Sequence, residues 1–188
     1  MDLYKESFDE YLENKKKLRR YYMDTILPEL DKIHEYNSSC KDGRYKNVLI
    51  IERAEYGARS TVEHWLSHNN IKSAHYLTET NPHVLRWREG DHFSEFLFAS
   101  NELDNFDQKD NVLVLANYDM AELKARGHLN KLVSERIAKD PSVEGGERKL
   151  DEFWYIIATA YSEGRFGYEP LSEKDIANFD YVIRLESF

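Results

Sequence analysis

The sequence predicts an α/β domain built on a parallel sheet with helices on both faces, preceded by a helical extension at the N-terminus. Three observations carry this. From Asn47 onward, strand-like and helix-like segments alternate, the order that βαβ units produce. Two of the strand-like segments, around Val48 to Ile51 and Val112 to Ala116, are wholly apolar, as a strand covered on both faces must be. The first forty residues instead repeat apolar side chains at three- and four-residue steps, the period of one helical face.

Each element follows from its own pattern. Leu3, Tyr4, Phe8, Tyr11, Leu12, Leu18, Tyr22, Ile26, Leu30 and Ile33 form the stripe of the N-terminal helix, and Pro28 is expected to kink the run or divide it in two. The polar, turn-rich stretch 37–46 reads as a connector, which sets the extension at 1–40 and the α/β core at 45–188. Within the core, strands are expected at 48–51, 74–78, 112–116, 152–160 and 181–185. Helices are expected at 60–68, at 92–100 around Phe93, Phe96 and Leu97, and at 120–138. The last is amphipathic, with Leu123, Leu129, Leu132, Val133 and Ile137 on one side. The segment 140–151 reads as a mobile loop.

Composition narrows the function classes. The 188 residues suit one domain with a helical appendage. Against 26 basic residues stand 35 acidic ones, and the net charge of -9 disfavours a nucleic-acid backbone as the main partner. Lys15, Lys16, Lys17, Arg19 and Arg20 are a local exception, which reads as the solvated face of a helix. The lone Cys40 excludes an internal disulfide and fits a reducing cytosol. No stretch approaches the roughly 18 consecutive apolar residues of a membrane span, and the acidic N-terminus lacks the order of a signal peptide. The expectation is a cytoplasmic protein with no membrane contact.

Residues 47–61, Asn-Val-Leu-Ile-Ile-Glu-Arg-Ala-Glu-Tyr-Gly-Ala-Arg-Ser-Thr, look like a phosphate-binding strand and loop without the phosphate-binding chemistry. A P-loop uses glycines so that backbone N–H groups wrap the phosphates, a Lys for the terminal phosphates and a Ser/Thr for Mg²⁺. This loop keeps only Gly57 and has Ala58 where the Lys would fall. Glu52 and Glu55 stand where glycines would, and their charge repels a triphosphate.

The last third of the chain makes the resemblance specific. Phe-Trp-Tyr-Ile-Ile-Ala-Thr-Ala-Tyr-Ser-Glu-Gly from Phe153, followed by Pro170, Leu171, Phe179, Asp180 and a final strand, resembles the end of an AAA+ ATPase core, in particular its MoxR and McrB-like branch. There a strand ending Ala-Thr-Ala-Asn-Pro leads through a Gly-containing loop to a Pro-Leu-Ser/Asp helix, then Asp-Arg-Phe-Asp and the last strand. The resemblance covers roughly residues 45 to 186. It implies a five-stranded sheet in the order 5-1-4-3-2, here without a C-terminal lid domain.

The resemblance also places the family's catalytic positions, and each falls on an unsuitable residue. The Walker A lysine aligns with Ala58, or with Arg59 if the loop slips by one. The Walker B pair, which would organise Mg²⁺ and activate water, aligns with Ala116 and Asn117, with Asp119 nearby but past the strand's end. The sensor asparagine aligns with Tyr161 and the arginine finger with Asn178. Gly57, Ala58, Arg59, Ser60, Thr61, Ala116, Asn117, Tyr161 and Asn178 are thus expected to mark a vestigial nucleotide site, with no bound cofactor, no metal and no catalytic residue. AAA+ cores assemble side by side, so the implied function is association with a protein partner, an active AAA+ ATPase or another copy of the chain. The alternative is a nucleotide switch or NTPase with a rearranged site using Arg59, Ser60, Thr61 and Asp119.

Other constellations carry less. His64 and His68 lie four apart on a predicted helix, a spacing that can hold a metal. However, Trp65 replaces the glutamate of a zinc-protease helix and no third ligand is evident. Trp154 and Tyr155 read as core and sheet-face residues rather than base-stacking platforms. Ser60 lacks the Gly-x-Ser-x-Gly elbow of a nucleophile.

Overall fold

Alternate residues of the central strands face opposite layers, and this alternation organises the whole domain. The computed structural model describes residues 3–53, 57–77, 88–89, 92–93, 100–121, 123–140, 142–163 and 168–185. Its helices are α1 (Leu3–Ser39), α2 (Ala58–His68), α3 (Ser100–Phe106), α4 (Leu123–Glu135) and α5 (Glu173–Ile176). Its strands are β1 (Val48–Glu52), β2 (Ser73–Leu77), β3 (Val112–Ala116), β4 (Ile137–Lys139), β5 (Glu147–Lys149), β6 (Ile156–Tyr161) and β7 (Tyr181–Arg184). Arg88–Glu89 pairs antiparallel with His92–Phe93 as a separate two-stranded ladder.

The main sheet runs β2-β3-β6-β1-β7 and every neighbouring pair is parallel. Counting only these five strands in chain order, this is the expected order 5-1-4-3-2. The apolar strands β1 and β3 lie inside the sheet, which is why neither shows a polar face.

One layer packs Leu49, Ile51, Leu113, Leu115, Ile156 and Ala158 against Leu103 and Phe106 of α3 and Leu129, Leu132 and Val133 of α4. The other packs Val48, Ile50, Val112, Val114 and Ile157 against Tyr22, Ile26, Leu30 and Ile33 of α1 and Ala58, Val62, Trp65 and Leu66 of α2. The second half of α1 is therefore a cover of the sheet. It is clamped there by Trp65, whose Nε1 donates to Asp31 Oδ1 at 2.7 Å.

Pro28 does not divide α1, which runs unbroken from Leu3 to Ser39. A proline inside a helix costs about 3 kcal/mol or more. Full burial of one large apolar side chain returns about 1.5–3 kcal/mol, and Ile26, Leu30 and Ile33 flank the proline on the buried face. Packing therefore outweighs the break.

The region after β3 departs most from expectation. Instead of one helix over 120–138 there is a 3-10 turn at Tyr118–Met120, a helix ending at Glu135, and a strand from Ile137. Arg136 causes the stop, since its φ of 60° is left-handed. Its guanidinium holds that geometry by donating to the carbonyls of Phe153 and Trp154 and lying over the Phe153 ring. Nor is 140–151 a plain loop. β4 and β5 pair as a hairpin, closed by a turn with left-handed Gly145 and Gly146 and by the Asp140 amide donating to the Gly146 carbonyl. Arg148 ties the hairpin to Asp104 and Asp107 on the α3 side.

Smaller shifts concern element ends. The helix expected at 92–100 begins instead at Ser100, while His92 and Phe93 are extended. Residues 94–99 lie outside the described residues, as does Thr78 at the end of the expected second strand. The fourth sheet strand starts at Ile156 rather than 152, because Asn47 Oδ1 accepts the Ile156 amide and the Asn111 carbonyl takes that of Trp154.

Candidate functional site

In open parallel sheets, ligands bind outside the carboxyl ends of the strands. At that edge β1 ends at Glu52, beside Tyr161, the last residue of β6. The chain then passes through 53–57 into α2, whose first amides point back towards the edge. In a P-loop such amides, at the positive end of a helix, receive phosphate. Here an internal carboxylate receives them. Glu52 Oε2 accepts the N–H groups of both Gly57 and Ala58 at 3.2 Å each. Glu52 is 2% exposed.

A third group closes this carboxylate in. Tyr22 of α1 is buried and hydrogen-bonds Glu52. Burial first, and then the charge of Glu52, push the Tyr22 phenol well above its ordinary value, so it stays protonated and donates. The Tyr22 ring also presses on the loop. A Cβ added at Gly57 would meet ring atoms at 2.9 Å, so this position admits only glycine while the ring stays in place. Glycine is needed here for close approach, and Gly57 has φ of -173°, an ordinary extended value.

Arg59 and Ser60 have their side-chain polar groups engaged within α2 and its first turn. Arg59 Nε pairs with Glu63 at 2.8 Å on the exposed side of α2. Ser60 Oγ donates to the Gly57 carbonyl within the first turn, and Thr61 is buried. Glu55 lies outside the described residues.

The end of β3 supplies the second part of the edge. Ala116 is buried and offers no ligand atom on its side chain. Asn117 takes a left-handed φ of 58°, and its amide donates to Thr159 Oγ1 at 3.3 Å. That turn folds the 3-10 segment back over the edge. It carries Asp119, which lies past the strand's end as its spacing predicts, to a fully buried position where Oδ1 accepts the Tyr161 N–H at 3.0 Å. Glu52 and Asp119 thus bracket the end of β6. Glu52 terminates the neighbouring strand, its carbonyl accepts the Ser162 amide, and Asp119 accepts the preceding amide.

Arg126 of α4 locks this turn from below. It is 3% exposed, and its guanidinium donates to the carbonyls of Asp119, Ala121, Glu169 and Pro170. Asp175 lies 3.5 Å from it. Burial alone would raise the Asp175 carboxyl, but hydrogen bonds from Asn130 and Ser172 and the Arg126 charge hold it below its ordinary value. Ser172 and Asp175 form a reciprocal capping box at the start of α5.

Gly57, Ala58, Ala116, Asn117 and Tyr161 are therefore gathered at the carboxyl edge. Asn178 is not among them. Its Nδ2 donates to the carbonyls of Lys174 and Asp175, capping the end of α5 before β7 begins. His64 and His68 stack with ring centroids 6.1 Å apart on the exposed side of α2. Among the described residues, no cluster of three or more potential ligands could hold a metal. Tyr155 is buried, as expected of a core residue, with its hydroxyl 3.0 Å from His34 Nδ1.

Sequence reasoning did not find Tyr22, Asp119 or Arg126 in these roles. Tyr22 reads as one more apolar position of a helical stripe, and Arg126 sits inside an amphipathic helix with nothing to mark it. Asp119 carries a signal only through the preceding Asn117, a residue type that tolerates left-handed turns.

Among solved structures, a protein from Cytophaga hutchinsonii described as a candidate ATPase aligns over 94% of this chain and 55% of its own, at 14% identity and a TM-score of 0.50. The fold is that of the AAA+ P-loop ATPases. The RuvB Holliday junction branch migration motor of Thermotoga maritima aligns over 88% of this chain and 49% of its own, at 12% identity and a TM-score of 0.46. The chain spans 55% and 49% of the length of these two structures. No protein-family model matches the sequence, and no curated protein does. Among the described residues, no helix is long and apolar enough to cross a membrane.

Proposed function

We propose that this AAA+-like domain does not hydrolyse nucleotide and acts by associating with another protein, as a regulatory, scaffolding or inhibitory subunit. One observation carries the proposal. The Glu52 carboxylate accepts the two amides that a phosphate would need. For a triphosphate to bind there, Glu52 must leave, which exposes two amides and the Tyr22 hydroxyl, or stay, which places a carboxylate against a phosphate. Two unit charges at 4 Å cost about 4 kcal/mol at an effective dielectric constant of 20. That is comparable to half the binding energy of a micromolar ligand.

The residues around this pair support the same reading. No lysine is available at the loop, and Arg59 is turned towards Glu63. Ala116 and Asn117 provide neither a Mg²⁺ carboxylate nor a base, and the Asp119 carboxylate accepts a backbone amide. Tyr161, at the end of β6 beside Glu52, stands where the resemblance places the sensor asparagine. The resemblance to the MoxR and McrB-like branch suggests the class of partner, an active AAA+ ATPase in the same cytoplasmic compartment.

Affinity capture with the full chain from its native host, followed by an ATPase assay of the partner with and without the chain, tests this. The expected result is a stable complex whose ATPase activity changes when the chain is added. Recovery of the chain alone, together with Mg·ATP hydrolysis by the purified chain, would overturn it.

A further inference from the structure

We propose that α1 upstream of Pro28 is a hinged arm whose Tyr22 latches the start of α2, so that the carboxyl edge of the sheet has a closed and an open form. The proposal rests on the reading of that edge given above and names the element that controls it.

One side chain makes the latch. Tyr22 is 2% exposed, its hydroxyl bonds Glu52, and its ring leaves no room for a Cβ at Gly57, which would meet ring atoms at 2.9 Å. Glu52 in turn accepts the amides of Gly57 and Ala58. Tyr22 therefore touches both the carboxylate and the turn whose amides that carboxylate caps. Glu52 belongs to β1 and the amides to the start of α2, so this grouping persists only while α1 lies against both.

The two parts of α1 are held differently. From Glu29 onward, polar contacts pin the helix. Glu29 accepts the Tyr181 hydroxyl, Asp31 accepts Trp65 Nε1, His34 Nδ1 lies 3.0 Å from the Tyr155 hydroxyl, and Asn37 exchanges two hydrogen bonds with the Lys46 backbone. Leu30 and Ile33 are buried there as well. Between residues 10 and 28, the buried side chains are Tyr22 and Ile26, and residues 10–17 are all exposed. Pro28 marks the border between the two parts. It has no N–H to donate to the Asp24 carbonyl and its ring crowds that turn, so the helix bends most easily here. Pro28 is itself exposed, which leaves the weak turn facing solvent.

Bending at Pro28 gives up the burial of Tyr22 and Ile26 and leaves Leu30 and Ile33 in place. Burial of two large side chains sets the open form at roughly one molecule in 10² to 10⁴. This is a local opening, distinct from loss of the whole fold. In it Glu52 loses the Tyr22 hydroxyl, Gly57 loses its cover, and the capped amides meet water. The closed form is the one in which Glu52 holds those amides against phosphate. A force on α1 before Pro28 shifts the balance between the two forms.

Native-state amide hydrogen exchange of the full chain, resolved by residue, tests the latch. In the wild type, the amides of Gly57 and Ala58 are expected to share one opening with those from Tyr22 to Ile26, and to exchange faster than Leu49 and Ile50 inside β1. Pro28→Ala restores a helical N–H at an exposed position and should slow exchange at Gly57 and Ala58 on the order of tenfold. Tyr22→Phe keeps the ring and drops the hydroxyl. It should speed exchange at the same two amides by about tenfold, with Trp65 and Leu66 further along α2 unchanged. Exchange at Gly57 and Ala58 that Pro28→Ala leaves unaltered would overturn the proposal, as would wild-type exchange there no faster than at Leu49 and Ile50. Either result leaves the reading of Glu52 standing, and that reading fails instead if the wild-type chain hydrolyses Mg·ATP.

Discussion

Asp119 Oδ1 accepts the backbone N–H of Tyr161 at 3.0 Å, at the end of the central strand β6, with Asp119 fully buried. In this position the acid is a structural acceptor. Asp119→Ala leaves a buried amide unpaired and should lower stability by about 1–3 kcal/mol, read as a drop in the urea midpoint without a change in slope. Asp119→Asn keeps an acceptor and should lose less. If Asp119 instead served a rearranged nucleotide site, Asp119→Asn would abolish nucleotide binding with little change in stability.

Glu52 is the acceptor for Gly57 and Ala58. Glu52→Ala should cost about 1–3 kcal/mol, the penalty for buried donors left without a partner. Glu52→Gln, which keeps one acceptor oxygen, should retain much of the difference. Equal melting temperatures for wild type and Glu52→Ala would show that the carboxylate does not hold the loop.

Gly57 and Tyr22 are coupled by contact rather than by chemistry. Gly57→Ala drives a Cβ into the Tyr22 ring at 2.9 Å, and overpacking of this kind costs about 1–3 kcal/mol. In Tyr22→Leu the ring is gone and the same alanine should cost far less, so the two changes should be non-additive by more than about 0.5 kcal/mol. Additive effects would place the strain elsewhere.

His34 gives the fold a pH dependence near neutrality. It packs against Trp65 and Trp154 with Nδ1 at 3.0 Å from the Tyr155 hydroxyl. Burial lowers its pKa, with the Asp31 charge opposing in part. A histidine depressed in the folded state stabilises above its unfolded value of about 6.5 and loses that contribution as pH falls towards the folded value. Stability should therefore decline as pH drops below about 6.5, and His34→Phe should flatten that decline, measured by denaturant unfolding at several pH values.

The sheet was legible because its strands carry strong local patterns. The unbroken apolar runs in β1 and β3 mark interior strands, and the landmarks Pro170, Leu171, Phe179 and Asp180 fix the order of the last elements. The hairpin of β4 and β5 was not legible, because it depends on the left-handed Arg136 and on guanidinium contacts to Phe153 and Trp154. Glycines and charges at 140–151 look the same in a loop and in a tight hairpin. The unbroken α1 likewise depends on burial of Ile26 and Leu30 around Pro28, which local propensity does not reveal. At the site, the acid Glu52 was visible as unsuited to phosphate. Its role as an internal acceptor needs Tyr22, thirty residues away in the chain, and only folding brings the two together.

The Glu52 carboxylate accepts the two amides that a bound phosphate would need, which sets it against nucleotide at this edge. Titration calorimetry of the full chain with Mg·ATP tests it most directly. The expected result is no saturable heat and no accompanying rise in melting temperature. Binding with a dissociation constant in the micromolar range, lost in Arg59→Ala, would contradict it and point to a rearranged nucleotide site.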